Sequence, residues 1–259
     1  MEYNDKNPLR IFEAFGGYGS QSLALKRLRE SFPEFCYKIV GYCDIDQAPI
    51  SAYMALHSGE NIINYGDITT IMWREVPDFD LFTYSFPCTD ISQAGRQAGL
   101  SKDSGTRSSL LWECEKAIDI KRPRFLLMEN VAALVSNKFI KDFQEWICVL
   151  DKFGYNSFTK VLDTKNFGVP QHRERVFVIS ILRTDDNQNP RFNFPQPFPL
   201  EVCLADVLEP VVDESFFLSD EMLVRFCEKS MEEEEKSSVA NIPENENGEI
   251  DYENFLITQ

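Results

Sequence analysis

Between residues 9 and 182 the chain alternates short apolar runs with longer stretches in which apolar positions recur every three or four residues. The runs are "LRIFEAF" (9–15), "YKIVGYC" (37–43), "DLFTYS" (80–85), "RFLLMEN" (124–130) and "RVFVISIL" (175–182). Runs this short and this nearly continuous predict strands buried on both faces of a parallel sheet. Between them, "SQSLALKRLRESF" sets Leu23, Leu25 and Leu28 as an apolar stripe, and "QAPISAYMALHSG" runs to Gly59. "RSSLLWECEKAIDI" (107–120) stops ahead of Pro123, and "KFIKDFQEWICVLDKFG" (138–154) closes on Gly154. All four predict helices, with glycine or proline as the stop signal for the last three. The fold class expected is α/β: a doubly wound, mostly parallel sheet with helices on both faces. Ligands of such sheets sit beyond the carboxyl ends of the strands.

After the last strand, the proline-rich "NPRFNFPQPFPLE" marks a boundary. Residues 1–195 are expected to form the main domain, and 196–230 a boundary segment in which "SFFLSDEMLVRFCEKS" adds a short helix. Residues 231–259 have few apolar anchors and read as an acidic flexible tail. The net charge is −16, which by itself argues against a nucleic-acid binder. Residues 201–259, however, carry fourteen more acidic than basic side chains, which leaves the body close to neutral. Seven scattered cysteines without a C-x-x-C pair, and two histidines, make a zinc site unexpected and reduced thiols the natural state. The N-terminus lacks the apolar core of a signal peptide, and no apolar run approaches the roughly 18 residues of a membrane span. A cytoplasmic protein is expected.

The candidate chemistry lies at the strand ends. The first strand opens into "FEAFGGYGS", where glycines permit a tight turn and close backbone approach ahead of a helix N-terminus. The second ends in "YCDID", where a carboxylate is placed either to bind the ribose hydroxyls of a nucleoside cofactor or to cap the following helix; the first reading is preferred for Asp44 and the second for Asp46. "YGDIT" puts Asp67 at another potential strand end, facing an adenine amino group or simply turning the chain. Cys88, in "SFPCTDIS", has two readings: a buried filler, as cysteine usually is, or a nucleophile in a loop at the edge of the sheet. The polar stretch that follows it suits a mobile cover. Glu129 emerges from the apolar strand "LLMEN", which is costly unless the carboxylate has work or partners. "GVPQHRERVFVI" presents Arg173 and Arg175 two apart, on one face of an extended chain, to an anionic or carbonyl-rich ligand or to surface ion pairs.

Taken in order and spacing, "FEAFGGYGS", "DID", "GDIT", "SFPCTDIS", "MENVAAL" and "VPQHRERVFVI" resemble the cytosine-C5 DNA methyltransferases, over about residues 9 to 210. The resemblance implies an S-adenosyl-L-methionine site and no metal. Phe15 would pack on the adenine, Gly17 and Gly19 would line the methionine end, Asp44 would take the ribose, and Asp67 with Ile68 would hold the adenine. Ile45 and Pro87 would complete that site. Cys88 would add to C6 of a flipped-out cytosine, Glu129 would act at N3 and Arg175 at O2, with Arg173 supporting Cys88 or its loop. Two positions depart from the family: Ser20 stands where glycine is usual, and Thr89 where glutamine is common. No target-recognition domain, "PRE"-type motif or "GNSV"-like closing segment is found up to Gln259. The implied partners are therefore double-stranded DNA and a second protein chain carrying those parts, in a bacterial or phage-infected cell, with truncation as the rival account. An RNA cytosine methyltransferase and a non-catalytic scaffold of the same fold are the alternatives. A nucleotide-dependent oxidoreductase would explain the glycines and Asp44 but not the later motifs.

Overall fold

All five predicted strands form, and a sixth joins them. The structure, a computed structural model, describes residues 3–92, 98–102 and 104–225. β1 (Leu9–Ala14) lies between β2 (Tyr37–Cys43) and β3 (Leu81–Tyr84), parallel to both, and β4 (Phe125–Val131) runs parallel to β3. An antiparallel ribbon, β5 (Tyr155–Asp163) and β6 (Glu174–Leu182), joins β4 through β6, giving the order β2-β1-β3-β4-β6-β5. β5 escaped the sequence pattern because it is the edge strand. Its middle residues are partly buried or exposed, in blocks rather than as an apolar run, and only its two ends are buried.

The helices are α1 (Ser20–Ser31), α2 (Gln47–Leu56), α3 (Glu113–Lys121) and α4 (Ile140–Lys152). The stretch 107–120 is not one helix: a 3-10 segment, Ser108–Trp112, precedes α3. Its first residue is tethered elsewhere, the Ser108 hydroxyl donating to the Pro87 carbonyl and its amide to the Asp90 carboxylate. Nor does Asp67 end a strand. Only a single parallel bridge, Tyr42 to Asn64, forms beside β2, and Gly66 (φ 71°) then turns the chain. Asp67 caps the 3-10 turn Ile68–Thr70 instead, accepting from the Thr69 amide at 2.9 Å.

The two faces of the sheet are built differently. Phe12, Ala14, Phe82, Tyr84, Leu126 and Met128 share a buried cluster with Ala117 and Ile118 of α3 and Trp146 and Leu150 of α4. Glu13, on the opposite face of β1, meets α1 and α2. Alternation along β1 makes this possible, because successive side chains leave the strand on opposite sides. The first face is rich in aromatic contacts: Phe12 is fully buried, with ring centroids 5.1 Å from Trp73, 5.4 Å from Phe79 and 5.6 Å from Tyr65.

The chain divides into two units, Met1–Leu204 and Ala205–Gln259. In the second, Asp213 caps a 3-10 turn, Glu214–Phe216, and residues 220–225 are helical where a short helix was expected. The stretch read as an acidic tail lies outside the described residues. Among the described residues no helix is long and apolar enough to cross a membrane.

Replacing Phe12 by alanine is expected to cost about 3–5 kcal/mol, the range for a buried phenylalanine. Phe12→Leu should cost much less. Urea unfolding checks this: the alanine variant should show a lower midpoint with an unchanged m-value.

Candidate active site

The register of the sheet lines up the strand ends. Cys43, Ala14, Tyr84 and Met128 are paired neighbours across four parallel strands. The next residues along each strand therefore emerge at one edge: the Phe15–Gly19 turn, Asp44, the Ser85–Cys88 loop and Glu129. β6 is antiparallel and enters at this same edge, with Arg175 opposite Val131. β1 leads to β2 on one side and borders β3 on the other, so a crevice opens where the chain switches direction.

A cavity of about 260 Å³ occupies that crevice. Phe15, Asp44, Ile45, Asp67, Ile68 and Pro87 lie on its wall, so six of the eight residues expected to bind cofactor come together there. Gly17 and Gly19 are not on the wall but shape the turn beside it. The Gly17 amide donates to Asp44 Oδ2 at 2.8 Å, and the Asp46 amide donates to Oδ1 at 2.9 Å. Asp44 thus ties the glycine turn to the end of β2. Phe15 takes a positive φ of 55°, a sparsely populated conformation for a non-glycine residue, and one that clusters at functional sites. Asp46 caps α2, as expected, accepting from the Ala48 amide at 3.3 Å. Sequence reasoning missed Asn64, which accepts from the Asp44 and Gly66 amides and donates to the Asp44 carbonyl. That side chain holds the Asp67 segment against the end of β2.

Cys88 is partly buried against the core cluster, in a loop fixed at nearly every backbone carbonyl. Phe86 O accepts from Asn130 Nδ2 at 2.9 Å and Pro87 O from Ser108 Oγ at 2.7 Å. Cys88 O accepts from the amides of Ile91 and Ser92. Ser108 and Asp90, both buried, close a reciprocal pair: Ser108 N donates to Asp90 Oδ2, and Asp90 N to Ser108 Oγ. Ser108, Asp90 and Asn130 were not among the expected site residues. The available signal was a polar side chain in apolar surroundings, which must find a hydrogen-bond partner. The inert fillers are other cysteines: burial pushes the Cys43 thiol up to about 12, and Cys114 well above its ordinary value. Cys88 instead stands at the rim of the sheet, partly exposed. Part of the loop expected to cover it, residues 93–97 and 103, lies outside the described residues.

Glu129 and Arg175 form an ion pair, Oε1 to Nε at 3.1 Å, and both are partly exposed. Arg175 also donates to the Glu174 carbonyl. Of the two arginines expected on one face of an extended chain, Arg175 lies in β6 and pairs with Glu129, and Arg173 stands one residue ahead of that strand. Arg173 lies in the preceding turn, its amide donating to Asp163 Oδ1 at 3.1 Å. Asp163 Oδ2 also holds His172 Nδ1 at 2.6 Å. Partial burial opposes ionisation of Asp163, but bonds from His172 and from the Arg173 and Lys165 amides outweigh it and hold the carboxyl at about 2.

With this geometry in place, comparison with known proteins identifies the family. The model of the C-5 cytosine-specific DNA methylases matches residues 9–258. The type II methyltransferase M2.ScrFI of Lactococcus lactis subsp. cremoris is 39% identical over 265 residues, covering 82% of this chain and 71% of that protein. The orphan methyltransferase M.SssI of Spiroplasma monobiae is 32% identical, covering 84% and 69%. A crystal structure of Spodoptera frugiperda DNMT2 superposes with a TM-score of 0.64 at 22% identity, over 83% of this chain and 64% of that one. At that identity it supports the Rossmann-like methyltransferase fold alone. The chain belongs to the C-5 cytosine-specific DNA methylase family, whose enzyme class is DNA (cytosine-5-)-methyltransferase. The recognition and the fold class drawn from its sequence are both borne out.

The Asp163 carboxyl, depressed from its ordinary 3.8 to about 2, stabilises the fold fully above 3.8, and that contribution is lost as pH falls toward 2. Asp163→Asn should therefore be less stable than wild type at neutral pH, and the difference should shrink on acidification. Urea unfolding at several pH values checks the sign.

Proposed function

We propose that this chain is the catalytic part of an enzyme that methylates C5 of a flipped-out cytosine in double-stranded DNA. The observation that carries this reading is the shared strand edge. A partly exposed cysteine on a fixed loop, the Glu129–Arg175 pair and a cavity with Asp44 on its wall all emerge there. The cavity's residues fit S-adenosyl-L-methionine in kind: Phe15, Ile45 and Ile68 offer apolar surface for a flat base, and Asp44 offers acceptors for the ribose hydroxyls. Asp67 and Pro87 complete the wall, and the Gly17 and Gly19 turn would carry the amino-acid end. When bound, the cofactor supplies an electrophilic methyl group.

Cytosine C5 is a poor nucleophile until something adds at C6. A thiolate is soft, adds readily and can leave again, which is the role given to Cys88. As its sulfur bonds to C6, electron density moves into the ring. Glu129 hydrogen-bonds or protonates N3 to stabilise it, and Arg175, paired with Glu129, is the group proposed to hold O2. Arg173 acts at one remove, supporting the loop. After C5 has gained the methyl group, loss of its proton expels the Cys88 thiolate and restores the aromatic ring. The base must leave the duplex for any of this, since neither face of C6 is open in a stack.

The chain spans 71% of M2.ScrFI and between about half and two thirds of several other relatives. Residues that read the DNA sequence are proposed to come from polypeptide other than the domain described above, a second chain being the form expected. Relatives from bacteria and phages favour the cytoplasm of a bacterial or phage-infected cell.

Duplex DNA bearing a fluorinated cytosine at the target site should trap Cys88 covalently, given S-adenosyl-L-methionine and the recognition polypeptide. Cys88→Ala should form no adduct, and Glu129→Gln should lower turnover by about 10²–10⁴, as expected for loss of acid–base assistance. Absence of the wild-type adduct with the full set would refute the reading. Tritium release from tRNA but not from duplex DNA would move the substrate to RNA.

A further inference from the structure

Behind the glycine turn, on the face of β1 away from the main core, lies a buried polar cluster. Glu13 is 0% exposed, and both its oxygens are engaged. Oε1 accepts from the Ser22 amide at 3.0 Å and Oε2 from the Tyr53 hydroxyl at 2.6 Å. The Ser22 hydroxyl donates to the Gly19 carbonyl at 2.9 Å, so it is free to accept from His57 Nε2, 3.1 Å away. The His57 ring stacks on Tyr53, which stacks in turn on Tyr42 at a centroid distance of 3.9 Å.

This arrangement does for α1 what a cap residue does elsewhere. Gly19 stands at the N-cap and has no side chain to offer the free amides of the first turn. Glu13 reaches across from the preceding strand and takes the Ser22 amide. Gly19 in turn cannot be anything larger. A Cβ there would lie 2.7 Å from His57 Nε2 and 2.9 Å from Tyr53, and its φ is +83°. The polar cluster and the glycine turn are therefore in direct contact on one side. On the other, Gly17 is held by Asp44.

We propose that Glu13, Ser22, Tyr53 and His57 are positioning residues that fix the Gly16–Gly19 part of the turn for the amino-acid end of the cofactor. They touch no cofactor themselves and act through Gly19 and the first turn of α1. Their effect falls on one end of the ligand, because Phe15, Asp44 and Asp67, read as holding adenine and ribose, lie on the cavity wall, whereas the cluster bonds to Gly19 and the first turn of α1. The inference rests on the reading of this cavity as an S-adenosyl-L-methionine site.

Two ligands separate the ends. S-adenosylhomocysteine carries the amino-acid portion, and 5′-methylthioadenosine lacks it. Their affinities for the full chain, measured for wild type, Tyr53→Phe and Ser22→Ala, give a ratio that a general loss of stability would not move. Each substitution removes a single oxygen and keeps the surrounding packing. Both variants should bind S-adenosylhomocysteine about tenfold more weakly, the order of one buried hydrogen bond, with 5′-methylthioadenosine unchanged. In hydrogen exchange, the Gly16–Gly19 amides should exchange faster. Equal weakening of both ligands, or no change in either, overturns the proposal, as does a lower melting temperature with the affinity ratio intact. Wild type binding neither ligand would instead overturn the cofactor reading beneath it.

Discussion

Everything at the active edge depends on the parallel pairing of β1 with β2 on one side and β3 on the other. Ala14 sits between Cys43 and Tyr84 in one row, and Met128 extends it. Because side chains alternate along a strand, a one-residue slip would send Glu13 into the aromatic core and Phe12 or Ala14 toward α1. It would also separate Asp44 from the Gly17 amide. The register is enforced by burial. Phe12 and Phe82 are fully buried on one face, where no charge could be accommodated without a partner.

Given that row, the chemistry follows from what each strand end must do with its backbone. The Ser85–Cys88 loop leaves β3 with carbonyls that would otherwise be unsatisfied, and Asn130, Ser108 and the Ile91 and Ser92 amides take them. All four follow Cys88 in the chain: two amides belong to its own loop, and Ser108 and Asn130 come from the 3-10 segment before α3 and from β4. The thiol is therefore carried on a loop that neighbouring elements define, which is the condition for a nucleophile to meet a base at a fixed distance. Gln21 of α1 donates to the Ser85 hydroxyl at 2.9 Å, so the helix after the glycine turn also touches the loop that carries Cys88.

Much of this was legible in the sequence, for physical reasons. Strands buried on both faces must be apolar throughout, so β1, β2, β3, β4 and β6 announced themselves. β5 did not, because an edge strand needs no such run, and its partly buried and exposed middle hid it. The helix expected over 107–120 begins as a 3-10 segment, since tertiary bonds to Asp90 and Pro87 outcompete the local preference of Ser108. Residues on the cavity wall and at the strand edge were found because reactive or charged types at strand ends are conspicuous. Those that only hold the others were not. Glu13 looks like a strand interruption until α1 and α2 are packed beside it, and Asp163 looks like a surface acid until the β5–β6 ribbon folds His172 and the Arg173 amide onto it.

The central claim is that one strand edge brings a nucleoside cofactor and a nucleophilic thiol into a single site. A crystal structure of the chain with S-adenosylhomocysteine tests it most directly. Ribose hydroxyls should lie on Asp44, the amino-acid end along the Gly16–Gly19 turn, and the ligand sulfur facing the Cys88 loop. Ligand bound away from the β1–β3 crevice, or with its ribose on a group other than Asp44, would contradict it.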